Sequence, residues 1–148
     1  MGSEPHNNVS VEQRVKVVQL ITNLSRGGAQ ATVIGSSVDL PEHIQMTVLA
    51  GPDDFGEGSF WGDAKDQGID VRQADHLHRR IHPISDIRFF VWLVRWLRRY
   101  RPDVLHTHST KAGVLGRCAA WLTRTPAIHT VHGWSFSPHP TGLSLIHI

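Results

Sequence analysis

The densest chemistry in the chain lies in His106-Thr107-His108-Ser109-Thr110-Lys111, which follows the apolar pair Val104-Leu105. Pro102 blocks helix continuation, Val104 and Leu105 begin a short buried strand, and Ser109 or Thr110 offers a side-chain oxygen to cap a following helix. A strand, a tight turn and a helix N-terminus would present free backbone amides and the positive end of a helix dipole, with Lys111 adding a full charge. Such a turn can hold an anion such as a phosphate, which makes Ser109, Thr110 and Lys111 candidate substrate- or phosphate-binding residues, with His108 beside them. The turn is not a Walker A loop, because there the lysine follows the glycines, whereas Lys111 precedes Gly113 and Gly116. His106 and His108 share one face of the strand and could start a zinc site, but no third ligand follows at a recognisable spacing, so no metal is expected.

The elements that must position this turn alternate along the chain. Val15 to Ile21 reads as a first strand covered on both faces, ending in Thr22 to Gln30. Gly27-Gly28 in that turn would let backbone approach a ligand closely, although the Gly-x-Gly-x-x-Gly dinucleotide pattern is absent. A weak helix interrupted by Gly35-Ser36-Ser37, a strand over Ile44 to Ala50, a short helix near Asp63 to Gln67 and a strand at Ile69-Asp70-Val71 follow. Ile84 to Arg101 is the strongest helix, with Ile87, Phe90, Val91, Val94 and Leu97 as its expected sheet-packing face and Arg88, Arg95 and Arg99 opposite. Phe89, Trp92 and Trp96 widen the apolar arc, either to fill a large contact or to meet a bilayer interface. Small residues Ala112, Gly113, Gly116, Ala119 and Ala120 suit close approach of the next helix to the sheet, and Ala127 to Val131 is a fifth strand ending at His132-Gly133-Trp134. The alternation predicts an α/β domain, a Rossmann-like open parallel sheet with helices on both faces and strand order 3-2-1-4-5. In that order Gly27-Gly28, Ser109-Thr110-Lys111 and His132-Gly133 fall along one edge.

Charge is divided: 5 Lys and Arg stand against 11 Asp and Glu up to Asp75, and 10 against 2 beyond it. An anionic ligand or membrane surface should meet the second half. The basic residues lie mainly along one helix without an RNA-binding or helix-turn-helix pattern, so nucleic acid is not an expected partner. One cysteine, Cys118, excludes an intramolecular disulfide framework, fits a reducing compartment and is expected to pack inertly on its helix. With no long apolar run or signal-peptide pattern, the expected location is cytoplasmic.

The combination of Val18-Gln19-Leu20-Ile21 to Gly27-Gly28-Ala29-Gln30, Arg101-Pro102-Asp103-Val104-Leu105-His106-Thr107-His108-Ser109 to Lys111-Ala112-Gly113, and His129-Thr130-Val131-His132-Gly133-Trp134 resembles the amino-terminal half of family 4 glycosyltransferases. The resemblance runs from about Val15 to Phe136. It implies one of the two Rossmann-like domains of a GT-B enzyme, transfer from a nucleotide sugar with retention of configuration, and no catalytic metal or other cofactor. It implies that Gly27, Gly28 and Gln30 lie near donor phosphates or acceptor, that His132 faces the cleft near the transferring sugar as the catalytic residue, and that Gly133, in the same turn, is a substrate- or phosphate-binding residue. Ser109 and Lys111 would contact acceptor or phosphate.

The expected organisation is a flexible tail over residues 1–13, an acceptor-side domain over 14–142 and a non-native tail over 143–148. That tail resembles translated sequencing adapter, so a truncated fragment lacking its donor domain, inactive alone, is expected. The expected function is sugar transfer to a polysaccharide or lipid-linked acceptor of the cell envelope, with the enzyme peripheral on the inner face of the membrane. The alternatives are a nucleotide-sugar 2-epimerase of the same fold and a non-catalytic Rossmann-like binding module.

Overall fold

A computed structural model of the chain describes residues 14–52 and 58–132. The tails at 1–13 and 143–148, and Gly133, lie outside these residues.

Five strands form one parallel sheet in the order β3-β2-β1-β4-β5: β1 (Val15–Ile21), β2 (Ile44–Ala50), β3 (Asp70–Gln73), β4 (Val104–His108) and β5 (Ala127–Thr130). Four helices connect them: α1 (Gly28–Gly35), α2 (Trp61–Asp66), α3 (Pro83–Tyr100) and α4 (Thr110–Thr123). The strand order is the one the alternation predicts, and it follows from right-handed crossovers carrying successive strands outward from β1 on either side.

Two apolar layers sandwich the sheet. Val18, Leu20, Leu49 and Leu105 pack against Phe89, Leu93 and Leu97 of α3 and Ala112, Ala119 and Ala120 of α4. On the other face Ile21, Val48 and Ala50 meet Val33 and Ile34 of α1 and Trp61 and Ala64 of α2. Gln19 is a buried polar residue, 1% exposed on β1. Its amide donates to Ser36 Oγ at 3.0 Å and Ser37 Oγ at 3.0 Å, so the serines that weaken helix α1 instead anchor its end to the sheet.

Helix α4 lies close to the sheet because of its glycines. A methyl group at Gly113 would stand 2.8 Å from His129 Nδ1, and one at Gly116 would stand 2.6 Å from Thr107 Cγ2 and 3.0 Å from Leu20 Cδ2. This is the role expected of the small residues of α4, and Ala112, Gly113, Gly116, Ala119 and Ala120 are its buried positions. Cys118, expected in packing, is exposed on the outer side of that helix.

Helix α3 corrects part of the expected face: Leu97 is buried and Phe90 and Val94 pack against the core as expected, but Ile87 and Val91 do not. Phe89, Leu93 and Leu97 point into the core, while Ile87 and Val91 are 65% and 41% exposed. Both sides of the helix carry apolar residues at helical spacing, and the side that wins has the larger side chains. Phe89, Trp92, Trp96 and Tyr100 form a stacked ladder with centroid separations of 6.0, 6.2 and 4.5 Å, and the Tyr100 hydroxyl lies 2.9 Å from Thr47 Oγ1 on β2. These aromatics fill an internal contact, so the bilayer reading of Phe89, Trp92 and Trp96 does not hold.

Candidate functional site

The site forms where the sheet reverses its winding, at the C-terminal ends of β1 and β4. A cleft of about 770 Å³ opens there, lined on the β1 side by Thr22, Asn23, Arg26, Gly27 and Gln30 and on the β4 side by Ser109, Thr110 and Lys111. The turn after β1 is tied internally. Asn23 Oδ1 accepts from Ser25 Oγ at 2.8 Å and from Gln30 Nε2 at 3.1 Å, which fixes the Gln30 side chain against the cleft wall. Gly27 has an extended backbone, φ −175°, and a methyl group at Gly28 would meet nothing within 4 Å. Neither its backbone nor its neighbours require glycine at position 28.

The turn after β4 is more constrained. Ser109 adopts φ +63°, ψ 153°, a region almost reserved for glycine, and so stores strain at the head of α4. Its side chain does not cap the helix, as the sequence suggests it should; the hydroxyl is hydrogen-bonded to Thr22 Oγ1 across the cleft floor. The first helical bond runs from Gly113 N–H to Ser109 C=O, so the amides of Thr110, Lys111 and Ala112 have no partner within the helix.

Lys111 differs from its expected role as a free cation. Its ammonium is enclosed by three oxygens: the carbonyls of His78 and Arg80, at 2.8 and 2.6 Å, and the carboxylate of Asp86, with which it forms an ion pair. The two side chains are only 13% and 16% exposed. An ammonium has three hydrogens, so these partners engage it fully, and Lys111 pins the loop before α3 to the cleft wall. Asp86 completes the pin by accepting from the His82 amide at 3.1 Å, at the N-terminus of α3.

The histidines lie beside the cleft rather than in its wall. His108 is 1% exposed, and its Nδ1 sits 2.8 Å from Nε2 of His132, beyond the end of β5. His106 packs against His108, the rings tilted by 43° with centroids 4.1 Å apart, and has its Nε2 2.7 Å from Thr130 Oγ1. Burial, then the neighbouring His106, His132 and His129, pushes the His108 pKa down to about 3. Burial also holds His106 and His132 below the ordinary imidazole value, with His132 and His129 acting on the first and His129 on the second. His108 is buried and is not among the residues that line the cleft.

Thus Gly27, Gln30, Ser109, Thr110 and Lys111 converge on one cleft, Gly28 is exposed and is not among its lining residues, and His108 and His132 form a linked pair next to it. Sequence reasoning missed Asn23, Arg79, Ile81 and Asp86, which also line the cleft or hold its wall. Only the Asn23-x-Ser25 turn carried a local signal, an Asx-type contact from Ser25 N–H to Asn23 Oδ1 at 3.3 Å. Among the described residues no group of three or more His, Cys, Asp or Glu side chains is arranged to hold a metal ion.

A five-stranded parallel sheet of this order, with its cleft at the switch point, is the fold of one Rossmann-like half of a GT-B glycosyltransferase. Residues 13–145 match the glycosyl transferase 4-like domain family, and the chain belongs to it. Over 61 residues, 40% of the chain, it is 44% identical to the UDP-Gal:alpha-D-GlcNAc-diphosphoundecaprenol alpha-1,3-galactosyltransferase of Escherichia coli, an alignment that spans 16% of that enzyme. Among solved structures, MurG of Acinetobacter baumannii is similar over 80% of this chain and 36% of its own, with a TM-score of 0.62 and 19% identity. Anabaena Alr3699/HepE in complex with UDP-glucose is similar over 80% of this chain and 29% of its own, with a TM-score of 0.62 and 19% identity. The matched region therefore spans roughly a third or less of these proteins.

Proposed function

We propose that this chain is the acceptor-side domain of a retaining glycosyltransferase that moves a sugar from a nucleotide sugar to a lipid-linked or polysaccharide acceptor of the cell envelope. The observation that carries the reading is the cleft at the β1/β4 switch point. Its size suits a ligand, and Gly27 and Gln30 of the turn after β1 face Ser109, Thr110 and Lys111 of the turn after β4 across it. In this reading the Gly27-Gly28 backbone and Gln30 face the phosphates or the acceptor. The unpaired amides of Thr110 and Lys111, with the Ser109 hydroxyl, form an anion-binding helix start. His132 stands near the transferring sugar, and Gly133 follows it. The chemistry uses no metal and no cofactor besides the nucleotide sugar.

The lipid-linked acceptor is favoured by the relative whose name includes a diphosphoundecaprenol substrate. The outer side of α3 supports it independently. Ile84, Ile87 and Val91, 62%, 65% and 41% exposed, share that side with Arg88, Arg95 and Arg99, and Ile81 at the cleft mouth continues the apolar run. Apolar residues rimmed by arginines suit attachment to an anionic membrane surface, on the cytoplasmic face in this reading. No helix among the described residues is long and apolar enough to cross a membrane. An epimerase of the same fold would have no need of such a face, because it takes no acceptor.

The test is product analysis. Protein expressed from the intact locus, given a labelled nucleotide sugar and a lipid-diphosphate-linked saccharide, is expected to form a new glycosidic bond with the donor's anomeric configuration. An isomerised sugar nucleotide, or no transfer to any saccharide acceptor, would overturn the reading.

A further inference from the structure

We infer that His108 is a positioning residue that locks His132 as a neutral imidazole protonated on Nδ1, so that His132 meets its ligand as a hydrogen-bond donor and not as a proton acceptor through Nε2. The inference rests on the placement of His132 beside the transferring sugar.

The geometry leaves few arrangements. Two ring nitrogens 2.8 Å apart share one proton, so one imidazole donates and the other accepts. His108 cannot carry a second proton cheaply: it is enclosed, and the rings of His106 and His132 lie beside it. Its own Nε2 is buried and meets no partner. If the His108 proton sat there, a buried N–H would be orphaned, the rarer and costlier defect; if it sits on Nδ1, only a lone pair is left unpaired. His108 therefore donates from Nδ1 to Nε2 of His132. With Nε2 accepting, the single proton of neutral His132 must be on Nδ1, opposite to the tautomer usually preferred by a free histidine.

The His106 ring, tilted 43° against the His108 ring at 4.1 Å and itself held by its 2.7 Å contact to Thr130, keeps the His108 ring from turning. His129 is held separately, its Nδ1 2.9 Å from Thr107 Oγ1 on the opposite side of the sheet, and does not compete for His132. In the proposed reading the N–H of His132 Nδ1 donates to an oxygen of the substrate. A hydroxyl of the transferred sugar or a phosphate oxygen has the required acceptor chemistry.

Long-range ¹H–¹⁵N spectra of imidazole-labelled chain at neutral pH test this directly. The expected result is a pyrrole-type Nδ1 and a pyridine-type Nε2 for His132, and the same tautomer in His108→Asn, whose amide nitrogen takes the place of Nδ1. In His108→Phe, His132 should shift toward the Nε2-protonated form and titrate at higher pH. A wild-type His132 protonated on Nε2 would overturn the inference even if neither variant folds, and so would identical His132 spectra in wild type and His108→Phe. Failure of the functional placement is separate: it would appear as an unchanged transfer rate in His132→Ala of the intact-locus protein, with the tautomer unaffected.

Discussion

Acidification should unfold this domain through His108, and the size of the effect can be worked out. The group changes from an ordinary 6.5 in the unfolded chain to about 3 in the folded one, because burial and neighbouring imidazoles oppose its charge. Between these values the unfolded state binds more protons than the native state, so stability is fully present above 6.5 and is lost as pH falls toward 3. At pH 5 the loss from His108 alone is about 2 kcal/mol, following from 1.36 kcal/mol per pKa unit over the interval already crossed. The figure is insensitive to the folded value, since native His108 is neutral at pH 5 whether that value is 3 or 4. His106 and His132 are shifted in the same direction and add to the loss. Urea unfolding at pH 7.5 and pH 5.0, for wild type and His108→Gln, isolates the term. The variant should be less stable at pH 7.5 because it loses the His132 bond, yet its drop between the two pH values should be smaller by about 2 kcal/mol. Equal drops in the two proteins would refute the argument that a neutral, enclosed His108 governs the acid limb.

Other outcomes follow from the same geometry. Gly113→Ala must push its methyl into the His129 ring and should cost about 2 kcal/mol in thermal or chemical unfolding; Gly28→Ala should leave stability unchanged to within about 0.5 kcal/mol. Lys111→Met leaves Asp86 and the carbonyls of His78 and Arg80 without their cation, so it should lower stability by about 2 to 3 kcal/mol and raise hydrogen exchange around the start of α3; unchanged exchange would deny the pin. Replacing Arg88, Arg95 and Arg99 by Gln should reduce co-sedimentation with anionic vesicles, by up to about 3 kcal/mol at about 1 kcal/mol per arginine, and added salt should do the same; equal recovery on neutral vesicles would remove the membrane role.

How much of this could be read from the sequence depended on whether a signal was local. Strand order came from alternation and handedness, and the small residues of α4 announced its close approach to the sheet. The face of α3 was hidden because two apolar stripes share the helix, and only the volume available above β1, β2 and β4 selects the aromatic one. Lys111 looked like a free cation because its acceptors, two loop carbonyls and Asp86, are 25 to 33 positions away and carry no motif. The Ser109 hydroxyl was expected to cap α4, but its positive φ turns it instead toward Thr22. The His108–His132 bond was likewise invisible, since it depends on the register that sets His108 beside Thr130.

The central claim is that the β1/β4 cleft receives the acceptor. Amide chemical-shift mapping of labelled chain titrated with a short-chain lipid-diphosphate-linked sugar tests it most directly. The account predicts saturable shifts clustered at Asn23 to Gln30 and Ser109 to Lys111, reduced in Gln30→Ala. Shifts confined to other surfaces, or none at saturating ligand, would contradict it.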